Sequence, residues 1–131
     1  MNADQAPVID IVDLTVAYKR SRRPPVRAVS GLNLQIEEGE VVGLVGPNGA
    51  GKTTTIKALM GFLFPAGGKV RLFRLKAGSV EAKRRIGYLP EVAVYYPFLS
   101  AREALWLYAT LQEVPGAQKK RMISELIEKV G

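Results

Sequence analysis

Gly46-Pro47-Asn48-Gly49-Ala50-Gly51-Lys52-Thr53, continued by Thr54 and Thr55, is the stretch whose residue types and spacing point most directly to chemistry. It fits the pattern of a glycine, four residues, then Gly-Lys-Ser/Thr. Glycines reach positive φ and let the backbone close around oxygen atoms without side-chain clashes. Successive amides can then form a concave nest for phosphates. A helix beginning near Gly51 would add unpaired amides and a positive dipole end. Lys52 supplies a mobile charge for the β- and γ-phosphates, and the Thr53 hydroxyl is a hard oxygen donor suited to Mg²⁺. The rival glycine motif, the dinucleotide fingerprint, fails because Thr54 stands where its third glycine should be. The expected ligand is a nucleoside triphosphate.

Such a loop must hang between a buried strand and a helix. Val41 to Val45 is almost continuously apolar, the pattern of a strand covered on both faces. Lys52 to Met60 reads as a helix closed by Gly61. Upstream, residues 8–18 (VIDIVDLTVAY) alternate as a half-buried strand. KRSRRPP interrupts them, and residues 26–40 resume the strand pattern up to a Glu-Glu-Gly turn, making an antiparallel pair. Residues 69–73 are expected as a short strand, 79–85 (SVEAKRR) as a short helix and 86–90 (IGYLP) as another buried strand. Ser100 with Glu103 forms a capping box opening a helix to about Gln112, with Ala104, Leu105, Tyr108 and Leu111 on one face. A last helix over 117–130 carries Met122, Ile123, Leu126, Ile127 and Val130 as a stripe. The fold class is α/β, with an antiparallel start and a helical finish.

Composition narrows the chemistry. The 131 residues, 47% of them hydrophobic, suffice for a core. The absence of cysteine removes disulfides and thiolate sites, and the absence of histidine removes the commonest general base. Carboxylates, lysines, hydroxyls, backbone amides and a borrowed metal ion remain. No apolar run reaches the length of a membrane span, and the start lacks a signal-peptide layout, so the expected compartment is the cytoplasm. The net charge of +7 gathers at Lys19-Arg20 with Arg22-Arg23, at Lys83 to Arg85 and at Lys119 to Arg121. Such runs are ordinarily solvated faces; nucleotide steering and anionic lipid headgroups are the functional alternatives. No aromatic residues interleave with them, so nucleic acid is not an expected partner.

The wording of the loop, with the strands before it and IGYLPE…YPFLSAREAL after it, resembles the ATP-binding subunit of an ABC (ATP-binding cassette) transporter from about residue 8 to 131. The resemblance implies a P-loop NTPase fold, here incomplete: an antiparallel β subdomain with part of the RecA-like core (8–95), then the start of a helical subdomain (96–131), after a tail at 1–7. It implies that Gly46, Pro47, Asn48, Gly49, Ala50, Gly51, Lys52, Thr53 and Thr54 bind ATP, that Thr53 ligands Mg²⁺, and that Tyr18 stacks on adenine. Glu91 stands where the family carries a glutamine that touches the metal and the attacking water. Some exporter-type members are similar in having Leu-Pro-Glu there, which makes Glu91 a second metal-site candidate. Tyr95, Tyr96, Phe98 and Trp106 could line a groove for a permease helix, against the plainer account of local packing. The implied partners are a transmembrane permease and a second ATP-binding subunit dimerised around two ATP molecules. The implied place is the cytoplasmic face of the cell membrane.

The family continues with a Leu-Ser-Gly-Gly-Gln-type signature, a strand ending in a metal-binding Asp and a catalytic Glu, and a switch histidine, none of which occurs in these residues. No catalytic residue is therefore assigned. The expectation is a truncated product, an incomplete reading frame or a cut piece, with the alternative that a separate polypeptide supplies the other half. Val41 to Val45 would then show unpaired amides and apolar faces. Two other readings compete: a nucleotide-holding or permease-docking module without turnover, and an unrelated P-loop kinase or GTPase.

Overall fold

The computed structural model describes residues 6–92 and 95–130. Its elements are β1 (Ile9–Arg20), β2 (Arg23–Ile36), α1 (Lys52–Leu59), β3 (Gly67–Leu72), β4 (Leu75–Lys76), α2 (Val80–Lys83), α3 (Ala101–Leu111) and α4 (Gly116–Val130). Contacts divide the chain into two compact units between Gly87 and Tyr88.

The first unit is a four-stranded antiparallel sheet, in the order β2-β1-β3-β4, with α1 against one face. Its core is Ile11, Leu14 and Val16 of β1 with Val70 of β3 and Ala58 of α1. The apolar positions of β1 change parity, from Ile9 and Ile11 to Leu14 and Val16. A strict two-residue alternation would turn one of these pairs out to solvent. A bulge at Val12-Asp13 absorbs the odd residue, with Asp13 at φ 50° and a register shift against both neighbouring strands. Side chains hold this irregularity. The Asp13 amide donates to Asn33 Oδ1 at 2.9 Å, Asn33 Nδ2 to the Gly31 carbonyl at 3.1 Å, and the Gly31 amide to Thr15 Oγ1 at 3.2 Å. On the β3 side Gly68, at φ 83°, lies so close that a Cβ would sit 2.2 Å from the Asp13 carbonyl oxygen.

α1 ends as its sequence predicts. Gly61 takes φ 70°, its amide donates to Ala58 O at 3.1 Å, and the Phe62 amide donates to Lys57 O at 2.8 Å. These two bonds make a Schellman cap, which leaves the last carbonyls of the helix partnered.

Two expected strands are not formed. Residues 41–47 and 86–90 have no regular structure. Val41 and Val45 are 100% and 96% exposed, whereas Val42 and Leu44 are 46% and 39% exposed and line a groove with Leu34, Ile36, Ile56 and Leu59. The segment keeps a two-residue alternation, yet no strand among the described residues pairs with it. A strand is defined by its neighbours' hydrogen bonds, and apolar character alone does not supply them.

The second unit is the α3–α4 pair. The capping box forms: the Ser100 amide donates to Glu103 Oε2 at 2.8 Å and the Glu103 amide to Ser100 Oγ at 3.4 Å. α3 closes with Glu113 in the left-handed region at φ 58°, and Pro115 then precedes α4. Ile123 is the buried contact of α4, while Tyr108, Leu111, Met122 and Leu126 stay exposed. The periodic stripes of both helices are thus only partly covered.

Gly68→Ala should destabilise the chain by about 2 kcal/mol or more, from left-handed strain plus a backbone clash, as read by urea denaturation. Hydrogen bonds from Ser100 hold the Glu103 carboxyl below its ordinary 4.5. The capping contribution should therefore be complete at neutral pH and lost as pH falls from about 4.5 through that lowered value. Circular dichroism should show this acid loss of helix reduced in Glu103→Gln.

Candidate nucleotide-binding site

The phosphate-loop residues sit at the mouth of α1. Gly51 is the N-cap, at φ 90° and ψ 4°, and no side chain caps the helix. A Cβ on Gly51 would lie 2.5 Å from the Ala28 carbonyl oxygen and 3.0 Å from Val29 Cγ2. Only glycine permits both this backbone angle and this approach to β2. The α1 entrance is thereby seated directly on the sheet.

Within the loop, the Ala50 amide donates to Pro47 O at 3.2 Å, which tightens residues 47–50 into a turn. Gly49 takes φ 86°. Lys52 Nζ reaches back to the Gly46 carbonyl at 2.6 Å and the Pro47 carbonyl at 2.9 Å. The ammonium thus ties the two ends of the loop together and fixes a positive charge at its rim. The amides of Gly51, Lys52, Thr53 and Thr54 have no protein acceptor among the described residues. Orphan donors at a helix entrance beside a lysine make an electropositive concavity with the chemistry to hold polyphosphate oxygens.

The three threonines take different positions. Thr53 is exposed at the loop surface. Thr54 is 9% exposed and its hydroxyl shares a 3.2 Å hydrogen bond with Tyr18 OH. Thr55 is 4% exposed and its hydroxyl donates to the Gly51 carbonyl at 3.0 Å. Tyr18, the last core-facing position of β1 before the hairpin, is 40% exposed. The Tyr18–Thr54 bond therefore joins β1 to the first turn of α1 and leaves much of the ring accessible beside the loop.

The structure thus brings together Tyr18 and residues 46–54. Glu91 belongs to the second unit and is exposed in a bend after Pro90. Tyr95, Tyr96 and Phe98 are exposed there too, with the Tyr96 and Phe98 rings 5.6 Å apart. Trp106 is half exposed, with Lys119 Nζ 5.4 Å from its ring centroid. Among the described residues no group of three or more Asp, Glu, His or Cys could hold a metal by itself. Ala28 and Val29 were not singled out in the sequence. Their part is to seat Gly51, and nothing in residue type alone announces it.

Residues 29–131 match the family model described as ABC transporter. The chain belongs to the ABC transporter family. It is 42% identical over 126 residues to an uncharacterized ABC transporter ATP-binding protein of Nostoc sp., covering 95% of this chain and 38% of that protein. It is 37% identical over 126 residues to the bacitracin transport ATP-binding protein BcrA of Bacillus licheniformis, covering 95% of this chain and 39% of that one. A dimeric structure of a bacterial ABC transporter cassette superposes with a TM-score of 0.72 at 25% identity, over 86% of this chain and 53% of the cassette. The ABC chain described here therefore spans roughly two fifths of these curated relatives, and its sheet and P-loop helix are part of an ABC ATPase fold.

Gly51→Ala should unseat the entrance of α1 and cost about 2 kcal/mol or more of stability, through positive-φ strain and the contact with Ala28 O. Thermal melts followed by circular dichroism would measure it.

Proposed function

We propose that residues Gly46 to Thr54 hold the triphosphate of MgATP, with Tyr18 stacked on adenine, in the ATP-hydrolysing subunit of an ABC transporter. The observation that carries this reading is the row of unpartnered amides from Gly51 to Thr54 beside Lys52. In it, Lys52 exchanges its bonds to the Gly46 and Pro47 carbonyls for the β- and γ-phosphates. Bound Mg²⁺ neutralises phosphate charge and is held on the protein side by Thr53, with Glu91 as the further candidate. Adenine rests on the exposed face of Tyr18 while its hydroxyl keeps the bond to Thr54.

In the whole protein, two cassettes pair around two ATP molecules and drive a membrane permease from the cytoplasmic face. Residues 8–95 carry the nucleotide, and 96–131, with its exposed Tyr96, Phe98 and Trp106 and with Tyr95 just before it, begins the part that meets the permease. The relative named for bacitracin transport supports a role in transport. No helix among the described residues is long and apolar enough to cross a membrane. The 131 residues by themselves hold nucleotide without turning it over, because phosphoryl transfer to water needs a positioned water and full charge neutralisation. They supply neither the family's catalytic glutamate nor its histidine.

Titration of the chain with a fluorescent ATP analogue and Mg²⁺ should give saturable binding. Lys52→Ala should weaken it about 10- to 100-fold through loss of charge-assisted bonds. Tyr18→Ala should weaken it about tenfold, whereas Tyr18→Phe keeps the stacking surface. Phosphate release by the chain alone should stay at background. Undiminished binding by Lys52→Ala would overturn the assignment.

A further inference from the structure

The first hairpin of the sheet ends in a charge cluster that the nucleotide site does not use. β1 and β2 meet at a two-residue turn, Ser21-Arg22, with Arg20 and Arg23 as direct register partners. Lys19, Arg20, Arg22, Arg23 and Arg27 place their charges within one short stretch, and every residue from Tyr18 to Arg27 is exposed. No Asp or Glu occurs between Asp13 and Glu37, nor between Glu40 and Glu81. Neither the outer half of the hairpin nor the phosphate loop and α1 therefore carries a carboxylate. None of the five cations forms an ion pair among the described residues.

The tip holds this charge against local preference. Like charges directly opposite each other on a sheet are destabilising, and Arg20 faces Arg23 in that way. Arg22 sits in the left-handed region at φ 58°, a turn position that glycine or asparagine fills with less strain. Both features favour an anion that neutralises the tip from outside.

The neighbouring residues narrow the kind of anion. Pro24, Pro25 and Val26 are exposed beside the arginines. The two prolines have no amide to donate, which blunts this end of β2 as an edge for a further strand. No aromatic ring lies among the cations, so nucleic-acid bases find nothing there to stack on. A projecting turn with arginines and some apolar surface suits an extended anionic plane.

We propose that the β1–β2 tip docks on an anionic bilayer surface. Arg20, Arg22 and Arg23, flanked by Lys19 and Arg27, take the lipid phosphates, which the guanidinium fork holds bidentately. Pro24, Pro25 and Val26 rest among the headgroups. Clusters of about four to eight Lys and Arg are the usual size for holding a segment on anionic lipid. The proposal does not rest on the nucleotide reading, since none of these residues belongs to the phosphate loop.

The test is co-sedimentation of the full chain with phosphatidylglycerol vesicles and, in parallel, with phosphatidylcholine vesicles. The chain should pellet with the first and stay in solution with the second, and raising salt to about 0.5 M should release it. Arg20→Gln combined with Arg23→Gln should weaken binding at least about tenfold. Lys120→Gln combined with Lys129→Gln removes the same charge from α4 and should change binding less than about twofold. Should the hairpin variant lose its sheet signal in circular dichroism, Arg22→Gln alone should weaken binding about fivefold. Absence of binding, equal binding to both vesicles, an equal loss from the α4 variant, or a hairpin variant that keeps vesicle binding while losing nucleotide affinity would each overturn the proposal.

Discussion

The close approach of Gly51 to the carbonyl of Ala28, which leaves no room for a Cβ, is the constraint on which the first unit's functional end depends. It fixes where α1 begins, since a residue with a Cβ at φ 90° would have to retreat from β2. Once the entrance is seated, Thr55 can return its hydroxyl to the Gly51 carbonyl and Thr54 can meet Tyr18. Lys52 then reaches back to the Gly46 and Pro47 carbonyls and closes the loop. Loop shape, orphan amides and aromatic neighbour all follow from one close backbone approach.

The same sheet must carry Tyr18 to that place, and it does so through an irregular strand. Without the Asp13 bulge, the parity of Ile9 and Ile11 would put Leu14, Val16 and Tyr18 on the wrong face. The bulge costs a ladder position and a left-handed residue. Asn33, Gly31 and Thr15 offset that cost with local hydrogen bonds, and Gly68 leaves room for the displaced carbonyl. A glycine pair at Gly61 and Gly78 performs a similar service at the far end of α1. Both ends of the helix are therefore placed by backbone contacts, which tolerate little displacement.

Apolar surface is distributed unevenly around this frame. Val42 and Leu44 lean on β2 and α1, but Val41 and Val45 face solvent with no strand among the described residues beside them. The chain spans about two fifths of its curated relatives, and an extended segment of this kind is stable as a strand only with neighbours on its edges. Among the described residues of the second unit, Ile123 alone is well buried, because two helices packed on each other can cover only one stripe apiece.

Local features were legible in the residues themselves. The phosphate-loop glycines, the Ser100–Glu103 capping box, the Gly61 stop and the first hairpin all depend on interactions within a few residues or on a short-range period. Family membership was legible too, because the loop wording is dense and sits in the right order. Tertiary structure decided what depends on distant partners. Residues 41–45 and 86–90 look like strands but have no hydrogen-bonding neighbours among the described residues. The parity slip at Asp13, the seating of Gly51 on Ala28 and the bond from Tyr18 to Thr54 join positions up to 36 residues apart. No residue-by-residue preference encodes such pairings; they arise only when backbone and side chains compete for the same space.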